Sequence, residues 1–228
     1  MTKKNILLIT AHADDHITAA GTVFKLLDRG YEVYELILTS SNEGRDYRNP
    51  EGQYDVASLR DSEFSEASKF LGTKKIWRFE QEDLNLRYSK DLVFKAVKVI
   101  REVQPEVGII MAKYDWHPDH QAAYDIGAMA FKMAATGIKP ELGDHHRTPI
   151  VLAAEGMLPI EPNIFVDITD YYGKKAELFA VYESQASSKA LGFTEGLAKV
   201  RGYHVRRVGS MMAEAFTTDP TSPIILFD

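Results

Sequence analysis

The chain has 228 residues, of which 45% are hydrophobic and 26% charged, and this composition suits one globular domain. Its 27 basic and 33 acidic residues give a net charge of −6, which argues against nucleic acid or an anionic membrane as a partner. Because the chain contains no cysteine, disulfides and thiolate metal sites are excluded, and a bound metal must be held by histidine or carboxylate side chains.

The N-terminal segment has two lysines and an apolar run, as a signal peptide does. The run covers only Asn5–Thr10 and then meets His12 and two aspartates, whereas a signal sequence has a longer apolar region free of charge. We therefore expect a buried first strand in a cytoplasmic protein. No apolar stretch approaches the length of a membrane span.

Apolar runs and helical spacing alternate along the chain. The predicted strands are Ile6–Ile9, Val33–Leu38, Ile76–Phe79, Val107–Met111, Ile150–Ala153 and Ile164–Val166. The predicted helices are 17–29, 56–71, 89–103, Pro118–Ala135 and 170–187. Residues 40–55 and 136–149 predict long loops, which we expect to set substrate specificity. The alternation predicts an α/β fold, with a Rossmann-like, mainly parallel sheet flanked by helices, in a single domain over 1–228.

Two polar clusters, AHADDH at 11–16 and DWHPDH at 115–120, follow directly on predicted buried strands and lead into helices. In parallel sheets this position is the carboxyl edge, where ligands bind at a switch in strand order. The two clusters are therefore expected to converge on one pocket, although about a hundred residues separate them. Taken singly, an aspartate pair such as that at 14–15 is also typical of a helix N-cap.

The first cluster offers both a metal ligand and a base. His12 supplies an imidazole nitrogen, and the adjacent Asp14 and Asp15 cannot point the same way in an extended turn. If Asp15 joins His12 on a metal, Asp14 is free to take the proton of a metal-activated water.

The second cluster also offers a metal ligand and a group for proton transfer. Pro118 suits the first helical position and keeps His117 extended, so His120 falls in the first helical turn, facing the pocket. Two histidines three residues apart predict one metal ligand and one acid. Asp115 or Asp119 can accept a hydrogen bond from an imidazole and fix its tautomer. Three such ligands plus a water are the open arrangement of catalytic zinc, although Fe²⁺ or another divalent metal accepts the same ligand types.

These motifs resemble those of the LmbE-like, or PIG-L-like, zinc N-deacetylases, which remove acetyl groups from N-acetylglucosaminyl compounds. The family signatures AHPDDE and HPDH compare with AHADDH at 11–16 and HPDH at 117–120. Further similar segments lie along almost the whole chain: Ser41–Gly44, Arg60 with Glu63, Leu71–Gly72, Val166–Ile168, Ser184–Gln185 and Ala213–Phe216.

The resemblance implies a zinc ion and a set of roles. The implied ligands are His12, Asp15 and His120. Asp14 is then the general base, and His117 stabilises the oxyanion and protonates the leaving amine, with Asp119 orienting it. The implied reaction is hydrolysis of an N-acetyl amide on a small amino-sugar substrate. The resemblance also favours a homo-oligomer.

Two residues of the first cluster differ from the family signature: Ala13 stands in place of proline, and His16 in place of glutamate. His16 is expected to support the site or to contact substrate. The candidate substrate contacts are His16, Glu43, Arg45 and Arg60. For the arginines and Glu43, solvated loop charge or a helical salt bridge is the competing interpretation.

Two other functions stay open on the sequence. The first is metal-dependent hydrolysis of another bond, such as an ester or a phosphoester. The second is a sugar-binding relative with altered catalysis, although Asp14 and His117 are both present, and a decayed site is expected to lose one of them.

Overall fold

A computed structural model describes residues 4–43, 46–48 and 56–218. Its strands are β1 (Asn5–Thr10), β2 (Glu32–Thr39), β3 (Lys75–Gln81), β4 (Val107–Met111), β5 (Ile150–Ala154), β6 (Ile164–Asp167) and β7 (Ala213–Thr218). Its α-helices are α1 (Ala20–Leu27), α2 (Val56–Leu71), α3 (Lys90–Val103), α4 (Pro118–Ala134), α5 (Tyr172–Val181) and α6 (Ser188–Val205). Short 3-10 helices cover Asp15–Ala19 and Pro140–Leu142.

The seven strands form one sheet in the order β3-β2-β1-β4-β5-β7-β6. The first five strands in this order, β3 to β5, are parallel to one another, and β7 runs antiparallel to both β5 and β6. This confirms the predicted Rossmann-like, mainly parallel sheet. The strand order reverses between β1 and β4, which are hydrogen-bonded neighbours with Ile6 opposite Val107. The chain segments that leave β1 and β4 therefore begin side by side, at the switch point where parallel sheets bind ligands.

Both faces of the sheet are covered, which explains the unbroken apolar run of β1. Leu7 and Ile9 pack with α3 and α4, whereas Ile6 and Leu8 pack with α1, α2 and α5. All four side chains are almost fully buried. Burial of such a side chain contributes about 1.5–3 kcal/mol, so β1 forms a rigid support for the turn that follows it. None of the described helices is both long and apolar enough to cross a membrane.

Two parts of the helix prediction need correction. The predicted helix 17–29 is a 3-10 turn followed by the shorter α1, and the predicted helix 170–187 ends at Val181. A separate helix, α6, follows it. Its glycines at 192, 196 and 202 weaken the apolar pattern from which a helix is predicted.

The predicted role of loop 136–149 in specificity is also wrong. This loop leaves the end of α4 and leads into β5, so it lies at the amino edge of the sheet, away from both clusters. Buried Arg101 donates hydrogen bonds to the carbonyls of Thr136, Ile138 and Lys139, and His146 contacts the carbonyl of Pro105 at 2.8 Å. These contacts give the loop a structural role.

Candidate active site

The two clusters meet at the carboxyl ends of β1 and β4. Nδ1 of His12, from the first cluster, lies 3.2 Å from Nε2 of His120, from the second. The Asp15 carboxylate completes a triangle, with Oδ1 at 3.2 Å from the His120 nitrogen and Oδ2 at 3.5 Å from the His12 nitrogen. All three side chains are buried. The structure thus brings the three predicted metal ligands together.

The spacing of these donor atoms suits a small divalent metal. A tetrahedral zinc ion with bonds near 2.0–2.1 Å places its ligand atoms about 3.3 Å apart. The distances from Nε2 of His120 to Nδ1 of His12 and to Oδ1 of Asp15, both 3.2 Å, are close to that spacing. Two other groups of side chains also place potential ligand atoms within 4.8 Å of one another: His12 with His117 and His120, and His12 with Asp83 and Asp119. The donor types suit zinc and also Fe²⁺.

Asp15 is held by its own turn. Its Oδ2 accepts hydrogen bonds from the backbone N–H groups of His12 at 2.7 Å and Ala11 at 3.0 Å. Burial opposes ionisation, but His120 and His12 outweigh it and hold the pKa of Asp15 well below its usual range. The carboxylate is therefore both ionised and fixed in direction.

The second ring nitrogen of His12 faces two carboxylates. Its Nε2 lies 3.0 Å from Oδ1 of Asp83 and 3.3 Å from Oδ2 of Asp119. Burial lowers the pKa of His12, but Asp15, Asp119 and Asp83 outweigh it and raise the pKa well above 6.5 in the metal-free protein. Carboxylates in this position fix the tautomer that leaves the other ring nitrogen free for a metal.

The contacts of Asp119 correct its predicted role, which was to orient His117. Its fully buried carboxylate accepts the N–H groups of Leu84 at 2.7 Å and Leu86 at 3.0 Å, in addition to its contact with His12. Only its backbone contacts the His117 ring, where the Asp119 N–H donates to Nδ1 at 3.2 Å. The Asp119 carboxylate therefore orients His12 and the loop after β3, rather than His117.

His117 is the N-cap of α4 and lies half-buried beside the metal-ligand triangle. Its ring stacks on His120 with a centroid separation of 4.8 Å and meets the edge of His12 at 4.7 Å. Burial and the two cationic rings lower the pKa of His117, which favours the neutral imidazole. Because Nδ1 accepts the Asp119 N–H, the single proton of that ring sits on Nε2, which makes Nε2 a hydrogen-bond donor.

His120 has a carboxylate on each side. Its Nδ1 lies 3.1 Å from Oδ2 of Asp115, and its Nε2 faces Asp15. Burial lowers the pKa of His120, but the two aspartates outweigh it and raise the pKa to about 10 in the metal-free protein. The other Asp115 oxygen accepts the backbone N–H of His117 at 2.9 Å, so one carboxylate holds both histidines of the second cluster.

Asp14 lies at the edge of the triangle and is partly exposed. Its Oδ1 accepts a hydrogen bond from Nη2 of Arg60 at 3.0 Å. Arg60 comes from α2, and its side chain is only 7% exposed. The structure therefore places the predicted substrate contact Arg60 against the predicted base, where it fixes the direction of the carboxylate.

His16 is not placed to contact a substrate, which corrects that prediction. Its side chain has no exposed surface, and both ring nitrogens have partners. Nδ1 lies 2.7 Å from Glu35, and Nε2 lies 3.1 Å from the hydroxyl of Tyr182. The 3-10 turn after Asp14 rotates this ring away from the metal-ligand triangle and into the core.

The remaining predicted contacts lie in the loop after β2. Glu43 is exposed, and its backbone N–H donates to Oδ2 of Asp83 at 3.0 Å. Arg45 lies outside the described residues. Asp83 itself was not predicted as a site residue, because it follows the short strand β3 in a loop without a histidine or a helix start beside it.

Three exposed apolar side chains belong to residues that adjoin the acidic centre: Leu84, Trp116 and Met157, which are 54%, 58% and 49% exposed. Each is tied to a site residue. The Leu84 N–H binds Asp119, the Met157 N–H binds Asp115 at 3.2 Å, and the Trp116 ring lies 5.3 Å from His117. We call these three residues the apolar rim.

The fold and site define a Rossmann-like α/β protein with a buried histidine–aspartate centre at the sheet's switch point. A family model described as PIG-L, GlcNAc-PI de-N-acetylase, matches residues 7–131, which include both clusters. The chain is 31% identical to diacetylchitobiose deacetylase of Thermococcus kodakarensis over 196 residues, covering 80% of this chain and 70% of that protein. The chain belongs to the PIG-L family.

Solved structures share the whole fold. N,N'-diacetylchitobiose deacetylase from Pyrococcus horikoshii matches with a TM-score of 0.83 and 25% identity, over 96% of this chain and 84% of that chain. The 4-carboxy-2-hydroxymuconate hydratase from Pseudomonas putida matches with a TM-score of 0.84 and 25% identity, over 99% of both chains. Proteins of this fold therefore include both deacetylases and a hydratase.

Proposed function

We propose that this protein is a zinc-dependent hydrolase that removes the N-acetyl group from an N-acetylglucosamine-type amino sugar or its conjugate. One observation carries the proposal: His12, Asp15 and His120 form a triangle of potential metal ligands, with a partly exposed carboxylate on the adjoining residue Asp14 and the imidazole of His117 stacked on His120. Similarity to two diacetylchitobiose deacetylases supports the acetylated amino sugar as substrate.

The three ligands named above would hold the zinc ion. When bound, zinc supplies a Lewis acid that polarises the amide carbonyl and lowers the pKa of an attacking water. The carboxylates of Asp83, Asp119 and Asp115 keep both histidines oriented toward that ion.

Asp14 transfers the proton, and His117 stabilises the developing charge. Asp14 accepts a proton from the attacking water, with its carboxylate directed by Arg60. The neutral His117 donates a hydrogen bond from Nε2 to the amide oxygen as negative charge develops there. Asp14 then gives the proton it took from the water to the leaving nitrogen, which returns Asp14 to its ionised form. The C–N bond breaks, and the products are acetate and a free amine.

Hydration of a carbon–carbon double bond is the second candidate, since the hydratase matches the full length of the chain. Charge argues against it. Five aspartates lie in the site (Asp14, Asp15, Asp83, Asp115 and Asp119), whereas a divalent metal and Arg60, whose guanidinium contacts Asp14, would supply three positive charges. A substrate that carries several carboxylates would meet repulsion there, whereas a neutral acetylated sugar would not.

An acetate-release assay tests the proposal. The purified chain, loaded with zinc, is incubated with N-acetylglucosamine, its β-glycosides and diacetylchitobiose, with and without chelator. We expect acetate and free amine in equal amounts, and a rate that falls on chelation and returns with added zinc. A zinc-loaded protein that releases no acetate but hydrates an unsaturated carboxylic acid would overturn the proposal in favour of the second candidate.

We also propose that residues 1–228 form one domain and that the protein assembles as a homo-oligomer, as the family resemblance indicates. Light scattering coupled to gel filtration measures the assembly, and a monomer mass near 25.7 kDa would contradict it.

A further inference from the structure

The backbone of Ala13, immediately before Asp14, is held on both sides by buried side chains. The Ala13 N–H donates to Oγ of Ser41 at 3.1 Å, and the Ala13 carbonyl accepts from the Tyr182 hydroxyl at 2.7 Å. Ser41 is 2% exposed, and Tyr182 has no exposed surface. Two distant parts of the chain, the segment after β2 and the end of α5, therefore hold the same peptide.

Tyr182 links this peptide to His16. Because the Tyr182 hydroxyl uses its one proton on the Ala13 carbonyl, it accepts a hydrogen bond from Nε2–H of His16 at 3.1 Å. Nδ1 of His16 lies 2.7 Å from one oxygen of Glu35, and Thr73 donates to the other oxygen at 2.5 Å. A continuous chain of hydrogen bonds thus runs from Glu35 in β2 to the turn that carries Asp14.

These contacts sit where the sequence departs from the family signature AHPDDE. A proline at 13 has no N–H to satisfy and a fixed φ, whereas Ala13 has an N–H and a freer backbone. Ser41 satisfies that N–H. A glutamate at 16 would face the Glu35 carboxylate, whereas His16 donates to the Tyr182 hydroxyl and pairs with Glu35.

We propose that His16 and Tyr182, with Glu35 and Ser41, are positioning residues that fix the turn carrying Asp14. We call these four side chains the clamp. The clamp compensates within this chain for both departures from the signature, and its effect on catalysis rests on the proposed role of Asp14 as base. Because proton transfer requires hydrogen-bond reach, a small displacement of this turn lowers the rate without removing a metal ligand.

The first test removes the Tyr182 hydroxyl. We expect Tyr182→Phe to lower kcat about tenfold or more, with KM and zinc content near those of the native protein. Amide hydrogen exchange in the peptide covering residues 11–17 should become faster. Tyr31→Phe is the matched control: it also removes a tyrosine hydroxyl that donates a hydrogen bond at 2.7 Å, but to the Glu106 carboxylate at the amino edge of the sheet. It should leave kcat and that exchange unchanged.

The second test is a double-mutant cycle between Ser41 and Ala13. Ser41→Ala leaves the buried Ala13 N–H without its acceptor, so it should lower kcat in the native chain. In an Ala13→Pro background no N–H remains, and the same Ser41→Ala change should have little effect. Equal losses in both backgrounds would show that Ser41 acts elsewhere and would overturn this part of the clamp.

The third test restores the family glutamate. His16→Glu places two carboxylates together in the core and should lower kcat, whereas Glu35→Gln added to it supplies a donor and should recover part of the rate. If Tyr182→Phe lowers only the melting temperature, or if it releases the zinc, the clamp does not position Asp14. The exchange measurements need no turnover, so they test the clamp even if the native protein releases no acetate.

Discussion

The turn after β1 and the turn after β4 each send one histidine to the centre of the site, but their other polar side chains have different surroundings. In the first turn, the aspartate Asp14 is 22% exposed, while the histidine His16 is buried against Glu35. In the second turn the arrangement is reversed: both aspartates are buried and accept backbone N–H groups, and the histidine His117 is partly exposed.

Local backbone geometry causes this difference. The first turn enters a 3-10 helix at Asp15, which directs the next side chain, His16, toward the core. In the second turn Pro118 starts α4 and His117 remains extended at φ −80° and ψ 122°, so its ring lies over the helix N-terminus, stacked on His120. One turn therefore presents a carboxylate and the other presents a hydrogen-bond donor next to the three proposed metal ligands.

The largest expected effect is the loss of the ligand that the second turn contributes. His120→Ala removes one corner of the metal-ligand triangle, so we expect zinc per chain to fall from about one to near zero and acetate release to disappear. Zinc content is measured on dialysed protein by mass spectrometry. His145→Ala, an exposed histidine in the loop at the amino edge, should retain both zinc and activity. Full zinc occupancy in His120→Ala would refute the assigned ligands.

Next in size is the loss of the base from the first turn. Asp14→Asn keeps the shape of the side chain but cannot accept the proton of water, so kcat should fall about 10²- to 10⁴-fold with zinc retained. His117→Ala should also lower kcat with zinc retained, since it removes the hydrogen-bond donor of the other turn. Rate and zinc content are measured on the same samples. A native kcat in Asp14→Asn would show that Asp14 is not the base, and the first turn would then have no proton acceptor to set against the donor of the second.

A smaller effect is expected from the buried aspartate of the second turn. Asp119→Asn replaces one acceptor oxygen with an NH₂ group, which faces either the loop N–H donors or His12. We expect zinc affinity to weaken about 10- to 100-fold, as is usual for a residue that orients a metal ligand, while kcat at saturating zinc falls less. Competition with a fluorescent chelator measures the affinity. Unchanged affinity would mean that Asp119 holds only the loop.

The sequence predicted six of the seven described strands, both turns and the convergence of His12, Asp15 and His120, because buried parallel strands have continuous apolar runs and end at one edge. It did not predict the antiparallel strand β7, whose sequence AEAFTT mixes small and polar residues. It did not predict Asp83. The loop after β3 that carries Asp83 is held at the start of α4 by backbone N–H groups that donate to the Asp119 carboxylate. Backbone N–H groups are common to almost all residue types, so the sequence does not reveal this contact. The burial of His16 was also missed, because a 3-10 turn and an α-helical turn direct the same residue to different sides.

The smallest expected effect concerns Trp116, the residue of the apolar rim that belongs to the second turn. Trp116 is 58% exposed beside His117, so it can cover the part of a conjugate that extends from the acetylated sugar. Trp116→Ala should raise KM about threefold to tenfold for β-glycosides with an apolar group, with kcat and the KM for N-acetylglucosamine nearly unchanged. Tyr203→Ala, a change at an exposed aromatic on α6, should alter neither KM. Because the Trp116 ring lies beside His117, an equal rise in KM for both substrates would place the sugar itself, rather than its substituent, against Trp116.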